Sequence, residues 1–413
     1  MPRIAVDLSV LRDSRNLRLL ILGEVFSSLG AQAALVAIPY QIYTLTHSAA
    51  LVGLLGIAEL IPIVTCSLLA GAIADRIERR RLMFAAQALI TVAAALLAAG
   101  AFAGHPPVEL VYVLAAAVAA GSTIDNVTRS AIIPALAGER LRAALSLNYG
   151  LYQVAAVVGP GVGGLMIGTL GVGAAYTADA IGFLVMLGVT AALPPLPPAP
   201  SDTEHPPLLR SIAEGIAFVR RNRALMGSFA IDLVAMTFGM PRALFAVLSL
   251  TVYHAGAGGT GLLYAAVSAG ASVAALTTGW VEHVNRLGRV VIAAVIVWGL
   301  AIAGAGLMPS IWPAAALLAV AGGADSVSAV SRSIINQTTT PEYMRGRMSA
   351  IFTLVVTSGP RLGDLESGIA ASLTTAAIAV TSGGLACVAG VFLIMLAFPE
   401  LAAYDARAAV IPS

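Results

Sequence analysis

Residues 49–81 read AALVGLLGIAELIPIVTCSLLAGAIADRIERRR. Between Ala49 and Ile73 the one charged side chain is Glu59; Asp75, Arg76, Glu78, Arg79, Arg80 and Arg81 then follow in quick succession. About 20 consecutive apolar residues let a helix cross the hydrocarbon core of a bilayer, so the stretch predicts a transmembrane helix closed by a basic turn. The rest of the chain repeats that pattern. Hydrophobic residues make up 59% of the 413 and charged residues 11%, against about 25% charged in a soluble domain. Mean hydropathy is +0.91. Backbone groups in lipid must bond within the protein, which leaves helices or a closed barrel. The alternating apolar pattern of a barrel strand is absent, and the chain reads as an all-α membrane protein.

Working outward from residues 49–73, apolar runs cover 18–44, 82–104, 108–135, 141–170 and 173–193 in the first half. In the second they cover 225–252, 260–281, 289–308, 312–336, 347–373 and 376–398. That predicts twelve spans. The basic residues test the count, because cytoplasmic loops are enriched in Lys and Arg. All 23 are arginine, a bias that points to a high-GC bacterial genome. With the N-terminus inside, the inner side takes Arg3, Arg12, Arg15 and Arg18, the cluster Arg76 to Arg81, and Arg140 with Arg142. It also takes Arg210, Arg220, Arg221, Arg223, Arg286, Arg289, Arg345, Arg347 and Arg407, and the outer connectors take none. Arg129, Arg242, Arg332 and Arg361 fall inside spans. The pattern places both termini in the cytoplasm and the chain in the inner membrane. The segment from Arg18 onward reads as the first span and not as a cleaved signal.

The expected organisation is an N-terminal half of six helices (1–193), a linker (194–224), a C-terminal half of six helices (225–400) and a cytoplasmic tail (401–413). The linker opens Pro-Pro-Leu-Pro-Pro-Ala-Pro, a stiff extended stretch. Leu209, Ile212, Ile216 and Val219 then form an apolar stripe, which predicts a short amphipathic helix on the membrane surface. The halves share features at an offset of about 200 residues. Thr128-Arg129-Ser130-Ala131-Ile132-Ile133 with Asp125 upstream answers Ser331-Arg332-Ser333-Ile334-Ile335 with Asp325 upstream. Both acid–base spacings put the charges on one helix face. Gly159-Pro160-Gly161-Val162-Gly163 answers Gly359-Pro360-Arg361-Leu362-Gly363. Two parallel six-helix halves around a central cavity are a transporter layout.

Here a resemblance becomes specific. Gly71-Ala72-Ile73-Ala74-Asp75-Arg76-Ile77-Glu78-Arg79-Arg80 resembles the loop 2–3 signature of the major facilitator superfamily, Gly-x-x-x-Asp-Arg-x-Gly-Arg-Arg, with Glu78 in place of its second glycine. Ala155-x-x-x-Gly159-Pro160-x-x-Gly163-Gly164 resembles the span-five motif of its exporters, with Ala155 in place of the first glycine. Thr340-Pro341-Glu342-Tyr343-Met344-Arg345-Gly346-Arg347 resembles the loop 10–11 segment of the drug- and siderophore-exporting branch, and Pro360 to Gly368, followed by Ser382 to Cys387, is similar to the enterobactin-exporter-like subgroup. The counterpart loop 8–9 is degraded, with His283 where the acid would stand. The resemblance implies a major facilitator fold and proton-coupled secondary export of a small molecule by alternating access. The expected cargo is a siderophore; the alternative is a drug-like compound handled by a multidrug efflux pump. A nutrient symporter and a transport-dead membrane sensor rank lower, because the loop 2–3 and span-five motifs are both present.

The residues supply the chemistry. Gly71, Asp75, Arg76, Arg79 and Arg80 are the candidates for a conformational latch, the bland alternative being a solvated basic loop that only sets topology. Gly159, Pro160, Gly163, Gly164, Gly359 and Pro360 are candidates for a gate, because glycine lets helices approach and proline removes a backbone bond; generic helix packing is the alternative. Ionisable groups at the centre of a span cost about 2.5–3.5 kcal/mol on insertion scales. Glu24, Asp125, Arg129, Asp325, Arg332, Asp364 and Glu366 are therefore candidates for proton or charge relay, with purely structural ion pairs as the alternative. The pairs expected are Asp125 with Arg129 and Asp325 with Arg332. The Walker lysine is missing from a chain without lysine, so no nucleotide drives transport. Net charge of +2 calls for no nucleic-acid partner. Cys66 and Cys387 read as core residues, no metal or other cofactor is expected, and a monomer in the lipid bilayer, exchanging substrate and protons, completes the expectation. No enzyme activity is expected.

Overall fold

The computed structural model describes residues 14–74, 77–196 and 208–405, and no strand occurs among them. Helices α1 (Arg15–Thr46), α2 (Ala49–Ala74), α3 (Arg79–Phe102), α4 (Val108–Ala137), α5 (Leu141–Leu170) and α6 (Val172–Ala192) account for the first six expected spans. After α7 (Leu208–Arg221) come α8 (Arg223–Phe238), α9 (Leu244–Thr251), α10 (Gly256–Thr277), α11 (Leu287–Leu307), α12 (Ile311–Thr339), α13 (Arg345–Leu373), α14 (Ala376–Ala397) and the short α15 (Pro399–Ala403). Ten of these helices are long and apolar enough to cross a membrane. The other two expected spans differ for physical reasons. The eleventh, α13, carries Arg361, Asp364 and Glu366. The seventh is broken.

That break lies midway along the run 225–252. Gly239, Met240 and Pro241 interrupt the helix, because proline supplies no N–H and disfavours helical geometry at the residue before it. Non-helical backbone at membrane depth persists only where protein or a cavity satisfies it, and here protein does. The Trp298 indole N–H donates to the Gly239 carbonyl at 2.9 Å. The Ala243 N–H, at the start of α9, donates to Asp364 Oδ1 at 3.0 Å. A carboxylate at a helix N-terminus both accepts an orphan N–H and answers the positive end of the helix dipole.

Local signals set several helix ends. Ser14, Asn222 and Thr375 cap α1, α8 and α14, their side chains accepting from Leu17, Leu225 and Ile378 N–H. His47 and His254 adopt left-handed φ of 51° and 49°, rare for side chains with a Cβ. They follow the first span of each half, so the repeat extends to a turn conformation. Apolar side chains such as Leu22, Val92, Leu165, Leu276 and Leu396 stand exposed along the helices, the surface expected where lipid replaces water.

The chain divides into two compact units. One comprises Met1–His47, Ala58–Thr203 and Gly256–Ala265; the other comprises Ser48–Ile57, Glu204–Ala255 and Ala266–Ser413. Helices α2 and α10 are thus each shared between units, their opening turns belonging with the helices of the other half of the sequence. In the first unit, Leu17, Leu20, Ile21, Met83, Ile132, Leu147 and Met186 form one buried cluster. In the second, Val219 of α7 packs with Leu225, Met344, Met348 and Ile351. The amphipathic helix expected on the membrane surface therefore docks its end against α13, and Glu214 adds a 2.6 Å contact to Arg347. The side chains of Leu209 and Ile212 lie outside the described residues.

Candidate functional site

Two of the three groups of residues that matter here begin from a charged side chain the bilayer disfavours; the third is a set of glycines. In the first unit Arg129 of α4 is buried between two carboxylates. It contacts Asp125 one turn earlier on α4, and its Nη1 lies 2.9 Å from Glu24 Oε1 on α1. Gln87 of α3 donates to Asp125 Oδ1 at 2.9 Å, and its own carbonyl accepts the Thr190 hydroxyl of α6 at 2.7 Å. Four helices are thereby joined by one polar network. The ionised triad carries two negative charges against one positive. Asp125 is held by both the guanidinium and the Gln87 amide, whereas Glu24 Oε2 is buried with no hydrogen-bond partner. Glu24 also lines a narrow cleft with Ser28, Asn148 and Tyr152. Asp125 and Arg129 pair as their spacing predicts; Gln87 and Thr190 were not legible, since neither is charged.

The second unit holds the counterpart, with one correction. Arg332 of α12 lies with its Nη1 2.7 Å from Asp232 Oδ1 of α8. The expected partner, Asp325, is two turns away on the face it shares with Arg332, and its Oδ1 is buried without a hydrogen bond. Spacing along α12 ranked the local acid first; an acid on the neighbouring helix reaches closer. Asp325 instead lines a small cleft with Arg242, Trp298 and Phe245 beside the break. Asp364, on α13, caps α9 as described and sits 3.7 Å from Arg361. Glu366, two residues on, is partly buried and takes part in none of these bonds.

Glycines form the third group. A Cβ on Gly163 would stand 2.6 Å from Ala33 Cα of α1, and one on Gly359 would stand 2.6 Å from Met236 Cβ of α8. The Gly-Pro segments of α5 and α13, with Pro160 and Pro360 inside them, thus each pack on the first span of their own half. Two further crossings repeat. A Cβ on Gly164 would lie 3.0 Å from Gly261 Cα on α10, and one on Gly53 of α2 would lie 2.9 Å from Gly368 Cα on α13. Gly53, Gly261 and Gly368 were not singled out from sequence, though small residues on facing helices are the usual signal of close approach. Gly53→Val and Gly261→Val are expected to destabilise the protein by about 1–3 kcal/mol, the cost of overpacking, and to cut transport. Gly258→Val is the control, because a Cβ there meets nothing. Thermal unfolding of the purified protein checks the order; equal midpoints for Gly53→Val and Gly258→Val would refute it.

The expected latch is only partly described. Gly71 lies in α2, while Asp75 and Arg76 lie outside the described residues. Arg79 donates its backbone N–H to Leu196 at 3.1 Å and its Nη1 to the Ala131 carbonyl at 3.4 Å. Arg80 donates to the Leu193 carbonyl at 2.7 Å, just beyond the C-terminus of α6, where a cation also answers the helix dipole. Arg81 pairs with Glu78 at 2.8 Å. These arginines brace helix ends as well as supplying charge.

A family model for transmembrane secretion effectors matches residues 8–411. The enterobactin exporter EntS of Citrobacter koseri is 30% identical over 396 residues, covering 95% of this chain and 94% of that protein. The enterobactin exporter of Shigella boydii serotype 4 is 30% identical over 395 residues, with 95% and 94% covered. Among solved structures, the nucleoside transporter NupG superposes with a TM-score of 0.76 at 14% identity, covering 93% of this chain and 99% of that one. An inward-facing bacterial homologue of the lysosomal transporter Spinster gives 0.72 at 16% identity, covering 96% and 97%. At such identities the structures establish the shared transporter fold, all-α and membrane-spanning.

Proposed function

Since the chain belongs to the transmembrane secretion effector family of the major facilitator superfamily, a family of transporters and not of enzymes, we propose that it is a proton-coupled exporter of a siderophore. The observation that carries this is the similarity to enterobactin exporters over nearly the full length of both proteins. The arginine distribution supports a reading with both termini in the cytoplasm, with export by alternating access of the two halves. Proton coupling rests on the triad in the first unit. Arg129 offers one positive charge to two carboxylates, so one proton on the less tightly held Glu24 makes the buried group neutral. Removing an uncompensated charge from a low-dielectric site is worth several kcal/mol, which is enough to link proton occupancy to a conformational equilibrium.

Everted membrane vesicles test this. With an imposed inward-acid gradient they are expected to accumulate iron-free enterobactin, and an uncoupler is expected to abolish the accumulation. Uptake unchanged by the uncoupler would refute proton coupling; uptake of cationic dyes but not enterobactin would make the chain a drug exporter. A second measurement addresses the loop 2–3 motif. Asp75→Asn is expected to lower flux at least tenfold with normal recovery of folded protein, because the amide cannot replace the charge that a conformation-specific contact uses. Normal flux in that variant would remove Asp75 from the mechanism.

A further inference from the structure

The two buried arginines occupy equivalent places, and so do the acids that meet them from a neighbouring helix. Arg129 and Arg332 lie in the fourth span of their halves, and Glu24 and Asp232 in the first. This acid correspondence is invisible in the sequence repeat, where no shared motif surrounds Glu24 and Asp232. We propose that Asp232 is a second proton-binding carboxylate, the counterpart of Glu24, so that each half of the transporter carries its own proton site. This deepens the proton-coupled reading and rests on it.

The geometry supplies the reason. Asp232 is 1% exposed and Arg332 2%, yet their 2.7 Å contact is not aligned as a hydrogen bond. Both Asp232 oxygens, Arg332 Nε and Nη1, Ser328 Oγ and Asp325 Oδ1 are buried without hydrogen-bond partners. Asp325, Ser328 and Arg332 share one face of α12, spaced three and four residues apart. With both acids ionised, the carboxylates can only accept. A proton on Asp232 forms an O–H bond at one oxygen, raises the charge of the group by one, and supplies a donor to a neighbourhood holding unsatisfied acceptors. In the first unit Gln87 already donates to the second acid; the second unit has no bond of that kind at Asp325 Oδ1.

Other charged groups bear on the site from the surrounding elements. Asp325 and Arg332 come from α12, and Arg242, in the break after α8, lines the cleft that Asp325 shares. From α13 the nearest residues to α8 include Gly359 and Gly363, packed on Met236 and uncharged; Arg361 and Asp364 lie on the same helix, Asp364 directed to Ala243. Asp232 lies seven residues before Gly239, two turns from the break, so a change in its charge acts on the same half-helix that the break frees from α9.

Infrared difference spectra of the protein in liposomes, recorded between acid and alkaline pH, read protonation of buried carboxyls directly and need no transport substrate. Wild type is expected to show carboxylic C=O bands that divide into a component lost in Glu24→Gln and another lost in Asp232→Asn, with Asp325→Asn retaining both. A spectrum of Asp232→Asn identical to wild type would overturn the proposal. Should Asp232→Asn not be recovered folded, Asp232→Glu decides: a displaced band supports the site, an unmoved one overturns it. The outcomes separate from those of the vesicle assay. Loss of the Asp232 band with export indifferent to the proton gradient leaves the site standing and removes the coupling. Proton-driven export with an unaltered band does the reverse.

Discussion

Arg129→Ala is expected to lower the stability of the protein by about 5 kcal/mol, the upper end of the cost of breaking a buried ion pair, and to abolish transport. Removing one member of a buried ion pair leaves the other charge uncompensated, which accounts for that magnitude. Here two carboxylates are left, Glu24 and Asp125, within a buried network. Native domains are stable by about 5–15 kcal/mol, so a loss of this size is a large fraction of the total and lowers the unfolding midpoint markedly. The charge explanation makes a sharper demand. Adding Glu24→Gln and Asp125→Asn to Arg129→Ala removes the orphaned charges, and thermal stability is expected to return while transport does not. Arg129→Lys is expected to sit between, since a single ammonium does not reproduce the planar fork that reaches two acids. Thermal unfolding in detergent, paired with vesicle uptake, checks all three. Wild-type stability in Arg129→Ala would show that the triad holds nothing together.

The second large effect discriminates between the local and the tertiary partner of Arg332. Asp232→Ala is expected to lower stability by about 3–5 kcal/mol, because it strands a nearly inaccessible guanidinium. Asp325→Ala is expected to cost clearly less, since Asp325 lies beside a cleft with Arg242 while the 2.7 Å contact of Arg332 is to Asp232. Unfolding midpoints of the two variants in one detergent give the comparison. Equal losses would mean that Arg332 is shared evenly between the acids; a larger loss for Asp325→Ala would restore the pairing that helical spacing suggests.

That pairing shows where sequence reasoning stops. Asp125 with Arg129 was legible because both lie on one helix, and an i, i+4 relation fixes their proximity. Asp325 with Arg332 obeys a related spacing, two turns apart, but Asp232 comes closer from another helix. No feature along α12 reports what the neighbouring helix presents. The broken seventh span was more accessible. Gly239, Met240 and Pro241 interrupt an apolar run, and proline inside a helix marks a break or kink. Hydropathy alone passes over it, since all three residues suit lipid. The amphipathic stripe of α7 lies on a helix, but an apolar stripe fits a protein surface as well as a membrane, and Val219 packs against α13.

The sequence by itself determined that this chain is a bundle of membrane helices in two related halves. Apolar run length, arginine placement and the repeated Asp–Arg and Gly-Pro elements depend only on residues near one another in the chain, and the motifs of loop 2–3 and span five pointed to an exporter. Tertiary structure decided which acid each buried arginine meets, where Asp364 spends its carboxylate, and which glycines touch. Those choices depend on how helices distant in sequence cross. A charge that the bilayer disfavours must be answered by whichever side chain the packing brings within about 3 Å, and neighbouring sequence does not specify it.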